Sequence, residues 1–392
     1  MHIAWLGKKS PFCGNVTYGR EVTNALLERG HQVSFLHFAQ EDEATNTPAE
    51  PQEVSIPCLY KSQIYTIPSP RSSKVLTDAL RRLKPDVIHA SLTLSPLDFV
   101  LPEICEELGL PLVATFHPPF DRKRRNLTSG TQHLMYQLHA PFLAHYNRVI
   151  VFSYIQKELL IRLGVPERRV AVIPNGVDVD KYSPGHSSIK AQVGAEQLFV
   201  YQGRIAPEKN VEALLKAWKL AGMGDRSKLV IVGSGPLAST LMPFYGPEAG
   251  VVWLGFVANE QRRIEILRGA DAFILPSLVE GLSLSLLEAM ACGIACLATD
   301  AGADGEVLDG GAGVVLSTQR VSSQLQTLLP LFRDQPELSA LLGHKARQRV
   351  LDRYTLTQNI SHLEALYQQV LDEAKSQTIP IGSLGTVRQT LF

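Results

Sequence analysis

Short apolar runs alternate with stretches of helical periodicity along this chain, and the alternation occurs twice. In the first half, strands are predicted at residues 2–7, 32–38, 86–90, 112–116, 148–152 and 170–173, with helices at 18–29, 75–83 and 102–108. In the second half, strands are predicted at 198–202, 228–233, 251–254, 272–275 and 295–299, with helices at 210–220 and 260–268. Repeated strand–helix–strand order is typical of a parallel sheet covered on both faces. The expected fold class is therefore α/β, with two Rossmann-like doubly wound domains facing each other across a cleft.

Composition limits the function classes that such a chain can serve. Its 392 residues suffice for two domains, and 45% hydrophobic against 19% charged residues permits large cores. With 38 basic and 38 acidic residues the formal net charge is zero, which argues against a protein dominated by nucleic-acid binding. Five scattered cysteines form no disulfide framework and no zinc pair.

The same features set an expectation for the compartment. Reduced thiols indicate a cytosol-like environment, and the chain shows neither a signal peptide nor an apolar run of about 20 residues. We therefore expect a cytoplasmic protein that could meet a membrane only at its surface.

The segment VEGLSLSLLEAMACG, residues 279–293, contains two glutamates eight positions apart, Glu280 and Glu288. A helix is predicted from about Ser283 to residue 290, with Ser283 or Ser285 as its N-cap. The N-terminus of a helix at the carboxyl edge of a sheet attracts anions, and a carboxylate is a double acceptor for paired sugar hydroxyls. The pattern fits a nucleotide sugar, with a diphosphate between two hydroxyl-rich rings. The alternative, a solvated glutamate and an unrelated surface one, is about equally compatible with the spacing.

A second cluster follows the first strand of the second half. In QGRIAPEK, residues 202–209, Arg204 and Lys209 leave a strand end on one loop. Two cations there could stabilise a departing diphosphate. Ordinary loop charge is the competing reading, but both clusters fall at strand ends in the same half.

These motifs occur in a known order. GR–x4–K at residues 203–209, PNGVD at 174–178, GSGP at 233–236 and E-x7-E at 280–288 resemble the retaining family-4 glycosyltransferases of GT-B fold, over roughly residues 1–372. The resemblance implies an acceptor-binding domain at 1–175, a nucleotide-sugar-binding domain at 176–355, a helix at 356–374 that returns to the first domain, and a flexible tail at 375–392. It implies no metal ion and no cofactor beyond the UDP-sugar substrate.

The resemblance also assigns roles to single residues. Glu280 would reach the sugar of the donor, Glu288 its ribose, and Arg204 and Lys209 its phosphates. His117 in ATFHPP would contact the sugar, and Gly14, in the first loop at residues 11–15, the diphosphate. The remaining implied donor-binding residues are Gly203, Gly281, Leu282, Ser283 and Leu284. Ser283 and Ser285 replace a glycine and a proline that the family often has, and the first loop has one glycine where the family has two. Asp178 and Asp180 resemble a metal-binding DxD but belong to the PNGVD motif.

A basic run, Arg122 to Arg125, precedes a helical stretch in which Leu134, Leu138 and Phe142 recur at fours. This combination suits an anionic membrane surface, or else a core-facing helix after a solvated loop. Residues 2–23, with FHPPFDRK at 116–123, resemble the galactolipid synthases of photosynthetic membranes. That resemblance implies transfer of galactose from UDP-galactose to monogalactosyldiacylglycerol, with a glycolipid and an anionic membrane surface as partners. Two alternatives remain open: a family-4 transferase with another nucleotide sugar and a different lipid or soluble acceptor, and a nucleotide-sugar-binding protein without turnover.

Overall fold

The computed structural model describes residues 1–11, 13–40, 53–63, 65–120 and 127–378. They form two α/β domains, each built on a largely parallel sheet, which confirms the predicted fold class. The first sheet has eight strands in the order β4-β3-β2-β1-β5-β6-β7-β8, and only the β3–β4 pair is antiparallel. These strands are β1 (His2–Gly7), β2 (Gln32–Ala39), β3 (Glu53–Lys61), β4 (Thr66–Pro68), β5 (Val87–Ser91), β6 (Leu112–Thr115), β7 (Arg148–Val151) and β8 (Val170–Val172).

Helices cover both faces of this sheet because the central strands are buried on both sides. On β1, Ile3 and Trp5 enter one core, whereas Ala4 and Leu6 enter the other. Successive side chains of a strand point to opposite faces of the sheet, so each face packs against its own layer of helices. The helices of this domain are α1 (Gly14–Glu28), α2 (Ser72–Leu83), α3 (Leu97–Leu108), α4 (Leu127–Leu143) and α5 (Tyr154–Arg162).

The second sheet has six parallel strands in the order β11-β10-β9-β12-β13-β14. Its strands are β9 (Gln197–Gln202), β10 (Ser227–Val232), β11 (Val251–Gly255), β12 (Ala272–Leu275), β13 (Ala295–Thr299) and β14 (Val314–Leu316). The helices that follow the first domain are α6 (Ile189–Val193), α7 (Val211–Ala221), α8 (Ala238–Leu241), α9 (Glu260–Arg268), α10 (Leu284–Ala291), α11 (Asp304–Val307), α12 (Val321–Asp334), α13 (Pro336–Arg353) and α14 (Leu356–Thr378).

The last helix, α14, leaves the second domain and packs on the first. Its Tyr367 hydroxyl lies 2.6 Å from Nδ1 of His89 on β5. Glu364 pairs with Arg29 at 2.6 Å, and Glu373 pairs with Arg148 at 2.5 Å. A buried apolar stripe and ion pairs at its sides therefore hold this helix on the first domain.

The two chain crossings between the domains lie side by side. The amide of Val177 donates to the carbonyl of Tyr354 at 2.8 Å, and the amide of Leu356 donates back to Val177 at 2.9 Å. Gly176 is required beside them, because a Cβ there would lie 2.6 Å from the Cα of Leu356.

Several predicted boundaries are wrong. Helix α3 begins at Leu97 rather than at Pro102, and the proline lies inside it. Pro102 has no N–H for the carbonyl of Asp98, and that carbonyl accepts instead from the Tyr146 hydroxyl at 2.7 Å. Helix α1 begins at Gly14, four residues before the prediction, and α14 ends at Thr378, four residues after it.

The sequence analysis also omitted strands β3 and β4, where Pro57 interrupts the strand pattern. The predicted basic run at 122–125 lies outside the described residues, as do residues 379–392 of the tail predicted at 375–392. The first four residues of that predicted tail, 375–378, belong instead to helix α14. No helix in the described part of the chain combines the length and apolarity needed to span a membrane.

Candidate active site

The two domains meet at the turn of residues 280–283, which follows β12 and leads into α10. The amide of Phe120, just after β6, donates to the carbonyl of Glu280 at 3.2 Å. A Cβ added at Gly281 would lie 3.5 Å from the carbonyl oxygen of His117. Because the carboxyl ends of both parallel sheets open on this region, the turn lies in the cleft where ligands of such sheets bind.

All the carbonyl oxygens of this turn are engaged by the protein. Besides the bond from Phe120 to Glu280, Ala303 donates to Gly281 at 2.7 Å, and the side-chain amide of Asn175 donates to Leu282 at 3.1 Å. The amides of Gly281 and Leu282 donate no hydrogen bond within the described residues. The turn therefore presents unused N–H groups, and such groups bind anions and hydroxyls.

Helix α10 begins as predicted, with Ser283 as its N-cap. The Ser283 Oγ accepts from the amide of Leu286 at 3.3 Å. Leu282 and Ser283 are 7% and 8% exposed, so only a small part of either residue reaches the cleft surface. Leu284 lies at the cleft surface and lines the same opening as Glu288.

Glu280 lies next to Lys209, as two different clusters of the sequence come together. The Lys209 Nζ is 2.5 Å from Glu280 Oε1, and Glu280 is only 7% exposed. The loops that carry them are joined by the Leu278 amide, which donates to the carbonyl of Glu208 at 2.8 Å. Arg204 forms an ion pair with Glu208 on the same loop. The two predicted cations thus lie on one loop, each with a carboxylate partner.

Tyr201 lies beneath this cluster and was missed by the sequence analysis. Its hydroxyl donates to the carbonyl of Arg204 at 2.7 Å. Burial, with the charges of Glu280 and Glu208, raises the pKa of Tyr201 above its ordinary value. Gly203 has to be a glycine here, because a Cβ would lie 2.9 Å from the Tyr201 hydroxyl. The phenol therefore fixes the path of the 203–209 loop.

Glu288 lies in the second turn of α10, at an opening between the domains. Its Oε2 accepts from the side-chain amide of Gln202 at 2.8 Å. Burial raises its pKa to about 7, and Glu260 adds to the shift, whereas Arg263 opposes it. The opening is lined in part by Tyr18 and Tyr182. Glu288 is thus a carboxyl group with a pKa of about 7, and it faces a space shared by the two domains.

His117 belongs to a short chain of polar groups in the first domain. Its Nε2 is 2.8 Å from the Ser91 hydroxyl, which donates to Asn15 Oδ1 at 2.7 Å. Because the hydroxyl has one hydrogen and gives it to Asn15, Nε2 of His117 carries the ring proton. Burial and the charge of Lys8 lower the pKa of His117 to about 3, so the ring is neutral.

Gly14 precedes Asn15 at the start of α1, and among the described residues beyond its own helix and chain neighbours no atom lies within 4 Å of a Cβ placed there. The predicted first loop therefore reaches His117 through Asn15 and Ser91, with open space at its glycine. By contrast, Asp178 closes a local turn, since its Oδ1 accepts from the amides of Asp180 and Lys181.

Some of the buried polar atoms without a hydrogen-bond partner in the described part of the chain lie around the turn. They include Asn175 Oδ1, Gln202 Oε1, Ser277 Oγ and Asp304 Oδ2. Such atoms are rare in proteins and often mark a place for a ligand or an ordered water. Of the site residues predicted from sequence, Glu280, Lys209, Gly281 and His117 lie together, and Glu288 lies one helical segment away.

Two family models match the two halves of the chain. The model described as Glycosyltransferase Family 4 matches residues 14–181, and the model described as Glycosyl transferases group 1 matches residues 186–349. Among curated proteins, the chain is 26% identical to the UDP-Gal:alpha-D-GlcNAc-diphosphoundecaprenol alpha-1,3-galactosyltransferase of Escherichia coli, over 80% of this chain and 82% of that protein. It is 24% identical to the MMP alpha-(1->4)-mannosyltransferase of Mycolicibacterium hassiacum, over 95% and 98% respectively. Other curated relatives are matched over little more than half of their length, as is the Bacillus anthracis N-acetyl-alpha-D-glucosaminyl L-malate synthase, at 57%.

Solved structures share the fold. Anabaena HepE in complex with UDP superposes with a TM-score of 0.73 at 16% identity, covering 94% of this chain and all of that one. Sucrose-phosphate synthase from Thermosynechococcus elongatus superposes with a TM-score of 0.75 at 20% identity, covering 95% and 99%. The two halves of the chain belong to these two glycosyltransferase domain families, and together they make the protein a glycosyltransferase of the GT-B fold.

Proposed function

We propose that this protein is a retaining hexosyltransferase that moves galactose from UDP-galactose to monogalactosyldiacylglycerol and forms digalactosyldiacylglycerol. The observation that carries the proposal is the 280–283 turn, whose unused amides lie between the Lys209–Glu280 pair and Glu288. A sugar nucleotide has hydroxyls at both ends and a diphosphate in its middle, and this order of groups matches it.

UDP-galactose is the proposed donor. One curated relative is a galactosyltransferase named for UDP-Gal, and one structural neighbour is a complex with UDP. In the proposed arrangement Glu288 accepts hydrogen bonds from the ribose, and Glu280 accepts from the hydroxyls of the sugar. Lys209 and Arg204 then face the diphosphate, near the open space at Gly14.

In the proposed reaction the acceptor hydroxyl attacks the anomeric carbon on the face from which UDP departs. The bond from that carbon to the β-phosphate oxygen breaks, the new glycosidic bond forms, and the acceptor proton moves to the departing phosphate. The chain then needs no nucleophile of its own. Lys209, Arg204 and the amides at the start of α10 stabilise the charge that develops on the leaving group. No metal ion is part of this scheme.

The exposed face of α4 supports a membrane-bound acceptor. Leu134, Leu138 and Phe142 are 54%, 57% and 40% exposed, one above another on the helix, while Tyr136 and Ala140 face the core. Of the two readings of this helix, a face turned to solvent agrees better with these exposures. Exposed apolar side chains in a row can insert at the boundary of a bilayer.

The second candidate function is the transfer of a different sugar, or transfer to a different acceptor, and the variety among the relatives supports it. The full-length match to a mannosyltransferase shows how far this architecture can vary in substrate.

The test is a screen of purified protein with UDP-galactose, UDP-glucose and GDP-mannose, each against vesicles containing monogalactosyldiacylglycerol and against soluble sugars. We expect UDP release and a digalactolipid, with an α linkage, from UDP-galactose and the vesicles, unchanged by EDTA. Turnover only with a soluble acceptor would reject the lipid, and nucleotide binding without any turnover would reject catalysis. Lys216→Ala, an exposed change on α7, is the matched control for Lys209→Ala.

A further inference from the structure

A buried aspartate lies directly behind the 280–283 turn and has no role in the scheme above. Asp304 opens helix α11, after strand β13, and is 0% exposed. Its Oδ1 accepts from the amide of Ser283 at 2.9 Å. Its Oδ2 has no hydrogen-bond partner within the described residues. The carboxyl group therefore holds one end of the turn with one oxygen and leaves the other unused.

The loop that carries Asp304 fits the turn closely. The amide of Ala303 donates to the carbonyl of Gly281 at 2.7 Å. Gly302 has a φ of 58°, and a Cβ there would lie 2.2 Å from the carbonyl oxygen of Glu280. Three consecutive residues of this loop thus contact three residues of the turn, and the bond from Ser283 to Asp304 is the one that a side chain of the loop makes.

Charge balance determines the protonation state of Asp304. The charges that act on its carboxyl are those of Glu280 and Lys209, and the ammonium of Lys209 is already paired with Glu280 at 2.5 Å. An ionised carboxylate with an unpartnered, fully buried oxygen would lack both solvent and a counter-ion. Burial, with the charge of Glu280, accordingly raises the pKa of Asp304, although the Ser283 amide and Lys209 oppose the shift.

We propose that Asp304 is a positioning residue of the proposed sugar-donor site, which fixes the 280–283 turn as a neutral carboxylic acid and so leaves Lys209 paired with Glu280 alone. The inference rests on the proposed function for its catalytic consequence. An ionised Asp304 would compete for the ammonium of Lys209 and draw it away from the position of the diphosphate. Asparagine at this position reproduces the neutral acid, since it keeps one acceptor for Ser283 and cannot ionise.

Hydrogen exchange of the ligand-free protein tests the positioning without any sugar nucleotide. The variants are Asp304→Ala and Asp304→Asn, with exchange followed in the peptide that contains residues 280–290. We expect about tenfold faster exchange of this peptide in the alanine variant, because the Ser283 amide loses its acceptor, and a change within about twofold in the asparagine variant. Wild-type exchange in Asp304→Ala, or equally fast exchange in both variants, would overturn the proposal.

Asp98 provides a matched control in the first domain. It is 5% exposed, and its Oδ2 accepts from the amide of Ser95 at 2.9 Å, so Asp98→Ala removes the same kind of contact elsewhere. We expect no change in the 280–290 peptide of that variant. Faster exchange there would mean that general destabilisation, rather than the Asp304 contact, controls the turn.

Steady-state kinetics tests the catalytic consequence. We expect Asp304→Ala to raise the KM for the sugar nucleotide about tenfold, with a smaller loss of kcat. We expect Asp304→Asn to keep both constants near their wild-type values at pH 7, and to retain those values up to a higher pH than the wild-type protein does. An asparagine variant as impaired as the alanine variant at pH 7 would refute the neutral acid. If the wild-type chain binds and turns over no sugar nucleotide, the proposed function fails, while the exchange experiment still decides whether Asp304 holds the turn.

Discussion

Glu288 should make nucleotide binding depend on pH near neutrality. Its pKa is raised to about 7, chiefly by burial. Only the ionised form is a double acceptor for the two ribose hydroxyls. In the free protein a rise in pH through about 7 therefore converts Glu288 into its binding-competent state, and affinity should rise with it.

The size of the effect follows from the fraction ionised. With a pKa of about 7, roughly one-tenth of the molecules are ionised at pH 6 and roughly nine-tenths at pH 8. Because apparent affinity scales with the competent fraction, the Kd should be roughly tenfold weaker at pH 6 than at pH 8. The effect of pH on folding stability has the opposite sign. The folded state keeps a proton that the unfolded chain releases above about pH 4.5, so folding stability declines as pH rises from there to about 7.

Calorimetric titration at pH 6, 7 and 8 measures this. UDP-galactose is the suitable ligand, because its diphosphate is esterified at both ends and does not titrate in this range, unlike a terminal phosphate. We expect Glu288→Gln to bind more weakly than wild type at pH 8, with no slope between pH 6 and 8. Glu337→Gln, an exposed change at the start of α13, should keep the wild-type slope. A flat wild-type profile, or the same slope in Glu288→Gln, would refute the argument.

Three further predictions concern other parts of the molecule. Lys209→Ala and Glu280→Ala should each lower kcat by about a hundredfold or more, because each removes one half of the pair at the turn, whereas Lys216→Ala should leave it unchanged; near-normal rates in both variants would contradict their roles. Replacing Leu134, Leu138 and Phe142 together by serine should abolish sedimentation with anionic vesicles, while Leu341→Ser, at a residue 53% exposed on α13, should not; equal binding by both variants would place the membrane contact elsewhere. Tyr367→Phe should lower the free energy of unfolding by about 1–3 kcal/mol in urea titrations, because it leaves Nδ1 of the buried His89 without a partner, and Tyr154→Phe, at a residue 66% exposed, should cost nothing measurable; an unchanged value for Tyr367→Phe would show that His89 finds another partner.

The sequence predicted the strands other than β3, β4 and β14, and the residues that follow them, because those depend on local periodicity. Helix α9 was predicted with the bounds that the structure shows, and the N-cap at Ser283 follows from residue type alone. Glu280 and Lys209 could be placed near one another because β12 and β9, which they follow, end at a common edge of the second sheet, and His117 because it follows a strand of the facing first sheet. Local pattern therefore carried most of the site.

What could not be predicted depends on long-range contacts. Nothing in the sequence near Pro102 indicates that the hydroxyl of Tyr146, on a distant segment, donates the hydrogen bond that the missing N–H would have donated, so that the helix can begin earlier. Tyr201 reads as one more apolar residue of a buried strand, and Asp304 as one acidic residue in a loop. Their positions behind the turn follow from how β9 and β13 flank β12, which is a property of strand order rather than of sequence spacing.

The adjacent crossings at Val177 and Leu356 limit how the domains can move relative to each other. The two crossing segments hydrogen-bond to each other at 2.8 and 2.9 Å, so they have to move together. Twisting one domain against the other would shear these bonds, whereas bending about the line between them would not. A Cβ at position 176 would lie 2.6 Å from the backbone of Leu356, so a residue larger than glycine there would push the two segments apart. Any relative motion of the two domains therefore has to keep these two segments side by side.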